Sequence, residues 1–302
     1  MSRPQSAFRC ADAARERADP LAGSAPPTRR WLLLEHPGPW RTEAIAGAGI
    51  DPDVLSVLTR RAGSDTRILL VRRPGRLDRR AARHWILTGL DSATATGPWR
   101  QDNDLLNAAD AVIDTSVPGI EQSGPVILVC THGVHDVCCA LRGRPVASAL
   151  ASRWPDLVWE CSHIGGDRFA PNLIMLPDGF YYGNLDPDTA LTTVEAHLGD
   201  TVLADHLRGM SRFLPPVQAA VIAAHQRFGP LGPSDVTVLA TEHIGPHHGH
   251  GSETFVDLVI ETQQRMAKVH VLSIRRADAQ LTCRATRETP ATEYRIIDFA
   301  TS

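Results

Sequence analysis

Residues 128–169, LVCTHGVHDVCCALRGRPVA…WECSHIGGDRF, concentrate the side chains that could do chemistry. Cys130 closes an apolar run, Pro125–Cys130, and Cys138 and Cys139 fall in the first turn of a predicted helix with Asp136 at its N-cap. A helix N-terminus favours negative charge and lowers the pKa of a thiol placed there. Thiolates brought together by a strand end and a helix start suit a redox pair or a metal. Cys138 and Cys139 make a poor disulfide, because a trans peptide holds their Cα atoms about 3.8 Å apart. Two thiolates need two more ligands to hold a metal. The next polar cluster is Cys161-Ser162-His163-Ile164-Gly165-Gly166-Asp167-Arg168-Phe169. The two glycines allow the tight path by which His163 and Asp167 could face one point. Imidazole and carboxylate both ligate iron and zinc, and Cys161 is a spare thiol nearby.

Other groups have more than one reading. His132 and His135 could donate to sulfurs, relay protons or cap their loop. Arg142, Arg144 and Arg168 could offset charge, dock an acidic redox partner, or simply be solvated. Cys10 reads as an idle surface thiol in a polar tail, and Cys283 as a structural or idle one. His243, His247, His248 and His250 (HIGPHHGHG) read as a flexible loop with adventitious metal affinity. No G-x-S-x-G, P-loop or dinucleotide fingerprint occurs. No carboxylate pair is placed by spacing across a glycosidic bond.

The elements that must position these residues follow from composition and pattern. The chain has 302 residues, 43% hydrophobic and 22% charged, with a net charge of −3. That is a globular composition, large enough to bury a core without disulfides. It argues against nucleic-acid binding, which shows a basic excess. No apolar run approaches the roughly 18–20 residues of a membrane span. No signal-peptide layout opens the chain, so a cytoplasmic location with reduced thiols is expected.

Residues 1–28 read as a disordered tail with a short helix near 11–18. Trp31–Glu35, Thr66–Val71 and His84–Thr88 read as buried strands, Asp104–Asp114 as a helix and Gly119–Gly124 as a linker. Pro125–Cys130 and Leu157–Cys161 are strands around a helix, Val137–Trp154, that Gly143 and Pro145 should kink or restart. Asn172–Leu176 and Phe180–Gly183 flank a Pro-Asp-Gly turn as a hairpin. Helices are expected at 186–198, 203–213 and 217–228, and strands at 236–240, 254–262, 269–275 and 294–299. No solenoid repeat is visible. Alternating strands and helices predict an α/β fold with a partly parallel sheet.

Several motifs together closely resemble the sucrase/ferredoxin-like family. They are Cys130-Thr131-His132-Gly133, Asp136, Cys138-Cys139-Ala140 and Gly143-Arg144-Pro145-Val146-Ala147, then Ser162 through Ala170, Asn172 and Leu176-Pro177-Asp178-Gly179. Upstream, Trp31 through Trp40 (WLLLEHPGPW) matches the family's N-terminal segment. The resemblance covers residues 30–200 well and the last hundred loosely. It implies a thioredoxin-like domain holding a [2Fe–2S] cluster, with Cys130 and Cys139 on one iron and His163 on the other. The spacing of these cysteines is not that of a thioredoxin redox pair. The family pattern, H-x-G-G-H, has a second histidine where this chain has Asp167. That leaves the fourth ligand open between Asp167 and the reserve thiols Cys138 and Cys161, or gives Asp167 the task of orienting His163. Neutral imidazole in place of thiolate raises a cluster's potential, and a titrating histidine ligand makes the potential depend on pH.

The expected architecture is thus an α/β protein: a tail (1–28), an N-terminal α/β segment (29–118), a thioredoxin-like cluster domain with a mixed sheet (119–200), and a C-terminal helical/β extension (201–302). The expected function is an electron carrier, rather than an enzyme with its own substrate, serving a redox partner protein. Two alternatives stand beside it: a metal-free thiol oxidoreductase using Cys138, Cys139 and Cys161, and a zinc-stabilised binding protein.

Overall fold

A computed structural model describes residues 8–75, 83–90, 92–114, 121–245 and 251–302. After α1 (Cys10–Glu16) come β1 (Arg30–Glu35), α2 (Pro52–Ala62), β2 (Thr66–Arg72), β3 (Arg83–Gly89), β4 (Ser92–Trp99), α3 (Leu105–Ala111) and β5 (Glu121–Ser123). The chain continues with β6 (Val126–Cys130), α4 (Val137–Arg153), β7 (Val158–Cys161), β8 (Leu173–Leu176), β9 (Phe180–Tyr182), α5 (Pro187–Leu198) and β10 (Leu207–Met210). It ends with α6 (Pro215–Phe228), β11 (Val236–Ile244), β12 (Glu253–Ile260), β13 (Arg265–Ala279) and β14 (Thr289–Thr301).

Ten strands form one mixed sheet in the order β10-β9-β8-β6-β7-β2-β1-β3-β4-β5. That order hides a duplication. In the first half a helix crosses from β1 to its parallel neighbour β2, β3 and β4 then add antiparallel on the other side of β1, and α3 follows. In the second half α4 crosses from β6 to parallel β7, β8 and β9 add antiparallel beyond β6, and α5 follows. Even the edges correspond, with β5 on β4 and β10 on β9. The halves join antiparallel through the equivalent strands β2 and β7, at Val71↔Cys161 and Arg72↔Glu160. Because these pairs involve the last residues of both strands, the carboxyl ends of the central strands meet at the junction. Carboxyl ends of parallel strands are where open α/β sheets bind ligands.

Every residue of β6 is buried, and successive side chains face alternate cores. Ile127 and Val129 face a core built with α4, α5, α6 and the C-terminal strands, whereas Val126, Leu128 and Cys130 face the opposite side. On that side Cys10, Ala11 and Ala25 pack into the same core as Leu128 and Cys130. The four C-terminal strands form a separate antiparallel sheet, β11-β12-β13-β14. In β12, Val256, Leu258 and Ile260 alternate inward, and α6 lies against this sheet.

Several expectations need correction. Residues 8–28 are not a disordered tail: α1 buries Cys10, Ala11 and Ala14, and the segment covers the cysteine face of the sheet. Helix α4 runs unbroken through Gly143 and Pro145. The carbonyl that Pro145 leaves without a helical donor belongs to Leu141, which is exposed. Residues 203–213 are not helical. They form a short turn and the edge strand β10, in which Gly209 has φ +150 and Arg208 is fully buried. Residues 121–123 of the expected linker pair with β4. Helix α2, absent from the expected elements, is nevertheless marked in the sequence by the Asp51 N-cap, Pro52 in its first turn and Val54, Leu58 and Ala62 on one face, whereas strand β4 carries no clear pattern. In the His-rich stretch, His243 lies in β11 and bonds Thr254, while His247, His248 and His250 lie outside the described residues.

Candidate metal centre

Cys130 and Cys161 end neighbouring parallel strands in register, so their side chains share a face. Cys139 meets them from the first turn of α4, whose N-cap Asp136 accepts from the Cys138 N–H at 2.9 Å. Gly143 lets the helix sit this close, since a Cβ there would collide with the Cys130 carbonyl. The thiols of Cys139 and Cys161 both bond the Cys130 sulfur, and this holds Cys130 well below the ordinary thiol range despite complete burial. Bonding to Cys130 and burial push Cys139 up, while burial leads the rise at Cys161.

Asp167 extends the series. Its Oδ1 lies 3.3 Å from the Cys139 Sγ and 2.9 Å from the His163 Nδ1. Its Oδ2 lies 3.7 Å from the His135 Nε2, and the His135 and His163 rings stack with centroids 3.8 Å apart. The His163 Nδ1 is buried and makes no hydrogen bond, although the carboxylate oxygen is at contact distance. The two atoms lie at ion-pair distance, and both offer lone pairs that a metal could use. The donors Cys161, Cys130, Cys139, Asp167 and His163 form a string in which each touches the next.

The loop carrying His163 and Asp167 is fixed through its backbone. Arg67 of β2 donates to the His163 and Ile164 carbonyls at 2.8 and 3.0 Å. Arg208 of β10 donates to the Gly165 carbonyl at 3.0 Å, and the Asn172 side-chain amide to the Gly166 carbonyl at 2.8 Å. Gly165 and Gly166 both have positive φ, and a Cβ on Gly166 would strike the Arg208 guanidinium. His132 settles into a structural role. Its Nδ1 accepts from the His163 N–H at 3.2 Å, so its Nε2 carries the proton donated to the Arg41 carbonyl at 2.8 Å. Burial holds His132 below its ordinary pKa and so favours this neutral form.

The expected ligands Cys130, Cys139, His163 and Asp167 therefore belong to one connected site, with Cys161 beside Cys130. Cys138 does not join them. Its Sγ turns to the opposite side of the helix start and meets Cys283 at 3.4 Å. Cys10 and Cys283, read as idle, are in fact partners there: their sulfurs are 3.5 Å apart, and Asp136 completes the group. Of the three thiols in the thiol-oxidoreductase alternative, Cys139 and Cys161 both adjoin Cys130, whereas Cys138 faces Cys283 instead. Of the three arginines, Arg142 pairs with Asp12 and Arg168 with Asp19, so neither is a free docking charge. Arg67 and Arg208 carry no motif that would single them out as supports of the site, whereas Asn172 stands among the motif positions noted above.

No helix among the described residues is long and apolar enough to cross a membrane. A family model described as Sucrase/ferredoxin-like matches residues 21–209. No curated protein and no solved structure matches the chain.

Proposed function

The chain belongs to the sucrase/ferredoxin-like family, and from that premise we propose that it is an electron carrier holding one [2Fe–2S] cluster. Cys130 and Cys139 would hold one iron, and His163 and Asp167 the other. When bound, such a cluster accepts and releases single electrons. The observation that carries this reading is the run of donors from Cys130 through Cys139 and Asp167 to the His163 nitrogen. A string of contacts suits two metals side by side better than a single coordination sphere. The order β7-β6-β8-β9, with α4 crossing between its parallel pair, is also what a thioredoxin-like unit implies.

The chain's own residues account for the rest. Cys130, Cys138, Cys139 and Cys161 are 0–1% exposed, so no disulfide substrate reaches them, which disfavours thiol exchange. The His163 side chain is 28% exposed beside a cleft of about 390 Å³ lined by His132, His135 and residues of the 42–46 segment. Electrons would enter and leave at this imidazole edge, and a redox partner protein would dock over it. Arg67 and Arg208 hold the loop, and the buried sulfurs are kept from water.

Anaerobic reconstitution tests the proposal. Red-brown protein with visible absorption, two irons per chain and a rhombic EPR signal on reduction is expected. The potential should vary with pH, and that slope should vanish in His163→Cys. Colourless protein after reconstitution, or iron retained in Cys130→Ser and Cys139→Ser, would overturn it.

A further inference from the structure

The second cysteine group is compact where the first is a string. The ligand atoms of Cys10, Asp136, Cys138 and Cys283 all lie within 4.8 Å of one another. The Cys283 Sγ is 3.4 Å from that of Cys138 and 3.5 Å from that of Cys10. The Asp136 carboxylate oxygens lie 3.5 and 3.6 Å from the Cys10 Sγ. A tetrahedral zinc with bonds of about 2.3 Å sets its sulfurs about 3.8 Å apart. A disulfide would need about 2.05 Å, and three thiols cannot all pair with one another.

We propose that these four residues form a separate, closed zinc site that fastens α1 and the connection between β13 and β14 to the start of α4. The donor set supports the metal. Three thiolates select zinc, copper(I) or iron–sulfur centres, and a carboxylate is a poor copper(I) ligand. Four atoms this close enclose one ion rather than two irons. Backbone groups are already arranged for bound thiolate. The Cys10 N–H points at the Cys283 Sγ at 3.4 Å, and the Cys283 and Cys138 N–H groups anchor Asp136 at 2.6 and 2.9 Å. The 17-residue helix α4 begins here and favours the negative charge of the site. Binding releases three thiol protons as three Zn–S bonds form, while the Asp136 carboxylate keeps oxygen lone pairs for the metal beside its two N–H bonds.

The site has a structural purpose. Cys10 begins α1, and Cys283 lies in the irregular segment between β13 and β14. Neither has a large apolar anchor of its own. Arg276 reaches back to the carbonyls of Arg17 and Ala18, so the two segments already lie together. A shared zinc would lock them over the face that carries Cys130 and Cys139. The metal would be redox-silent, and the inference does not depend on the identity of the cluster at the first site.

Metal analysis of the full-length protein, made with zinc and iron both supplied, tests it. One zinc per chain is expected alongside any iron. Cys10→Ser and Cys283→Ser should each lower zinc at least tenfold while leaving iron and visible colour in place. Cys139→Ser should do the reverse, so failure here and failure of the cluster reading are distinguishable. Cobalt(II) added to apo wild-type protein provides a check that needs no variant: intense tetrahedral bands and sulfur-to-cobalt charge transfer are expected. Absence of zinc and of the cobalt bands would overturn the proposal. So would a disulfide among the three residues in non-reducing mass spectrometry, or loss of iron instead of zinc in Cys283→Ser.

Discussion

Replacing Arg208 by Met should weaken the protein and its metal centre together. The guanidinium is fully buried and makes four hydrogen bonds: to the Ser24 Oγ at 3.1 Å, the Ser24 carbonyl at 2.6 Å, the Gly165 carbonyl at 3.0 Å and the Asn172 Oδ1 at 2.8 Å. None of these acceptors is a carboxylate, although the Asp167 charge favours the guanidinium from beyond hydrogen-bond reach. Burial lowers its pKa from 12.5 to about 10, a penalty of about 3 kcal/mol, yet leaves it charged at neutral pH. Bonds from a charged donor contribute about 1.5 kcal/mol each at the low end, roughly 6 kcal/mol for four. The net loss on removal is then about 3 kcal/mol, near the lower end for breaking a buried charged partner. Urea unfolding of the apo protein should show that loss, with the m-value unchanged. Since Arg208 also fixes Gly165, metal retention at the His163–Asp167 loop should fall with it. Lys at this position should not rescue either property, because a point charge cannot span the forked acceptors. An Arg208→Met protein within 1 kcal/mol of wild type, with full metal content, would refute the argument that this side chain holds the loop.

Asp167→His restores the two-histidine pattern and exchanges an anionic ligand for a neutral one. The potential should rise by on the order of 100 mV or more, read by spectroelectrochemistry; an unchanged potential with intact colour would remove Asp167 from the ligand set. His225 is buried with both ring nitrogens unpartnered, and burial lowers its pKa from 6.5 to about 4. As pH falls below 6.5 the unfolded chain takes up a proton that the native chain refuses until near 4, so stability is lost across that window. The loss between pH 7.5 and 5 should be about 2 kcal/mol in wild type, and His225→Leu should lack this contribution in the same urea titrations. Gly143→Ala should push α4 away from the Cys130 carbonyl, destabilise by roughly 2 kcal/mol and lower iron content, whereas Ala at the open Gly124 should do neither.

The strands bearing the first site were legible because burial on both faces writes an apolar run, continuous in Val126–Cys130 and broken only by Glu160 in Val158–Cys161. The helix start was legible from Asp136, and the hairpin from Pro177-Asp178-Gly179. Arg208 was hidden for the opposite reason: a charged residue beside apolar neighbours looks like the solvated face of a helix, and only the fold turns it inward. The duplicated half-sheets were hidden because equivalent strands such as Arg30–Glu35 and Val126–Cys130 share topology and burial but no motif. The doublet Cys138-Cys139 shows most sharply where sequence proximity misleads. On an α-helix, successive side chains point about 100° apart, so neighbours in the chain are not neighbours in space. One thiol therefore faces Asp167 and the strand ends, and the other faces Cys10 and Cys283, which are far away in the sequence. The first turn of α4 thus serves two centres at once. The two centres share one turn of backbone but no donor, so zinc and iron measured in the same samples should fall separately, zinc in Cys283→Ser and iron in Cys139→Ser.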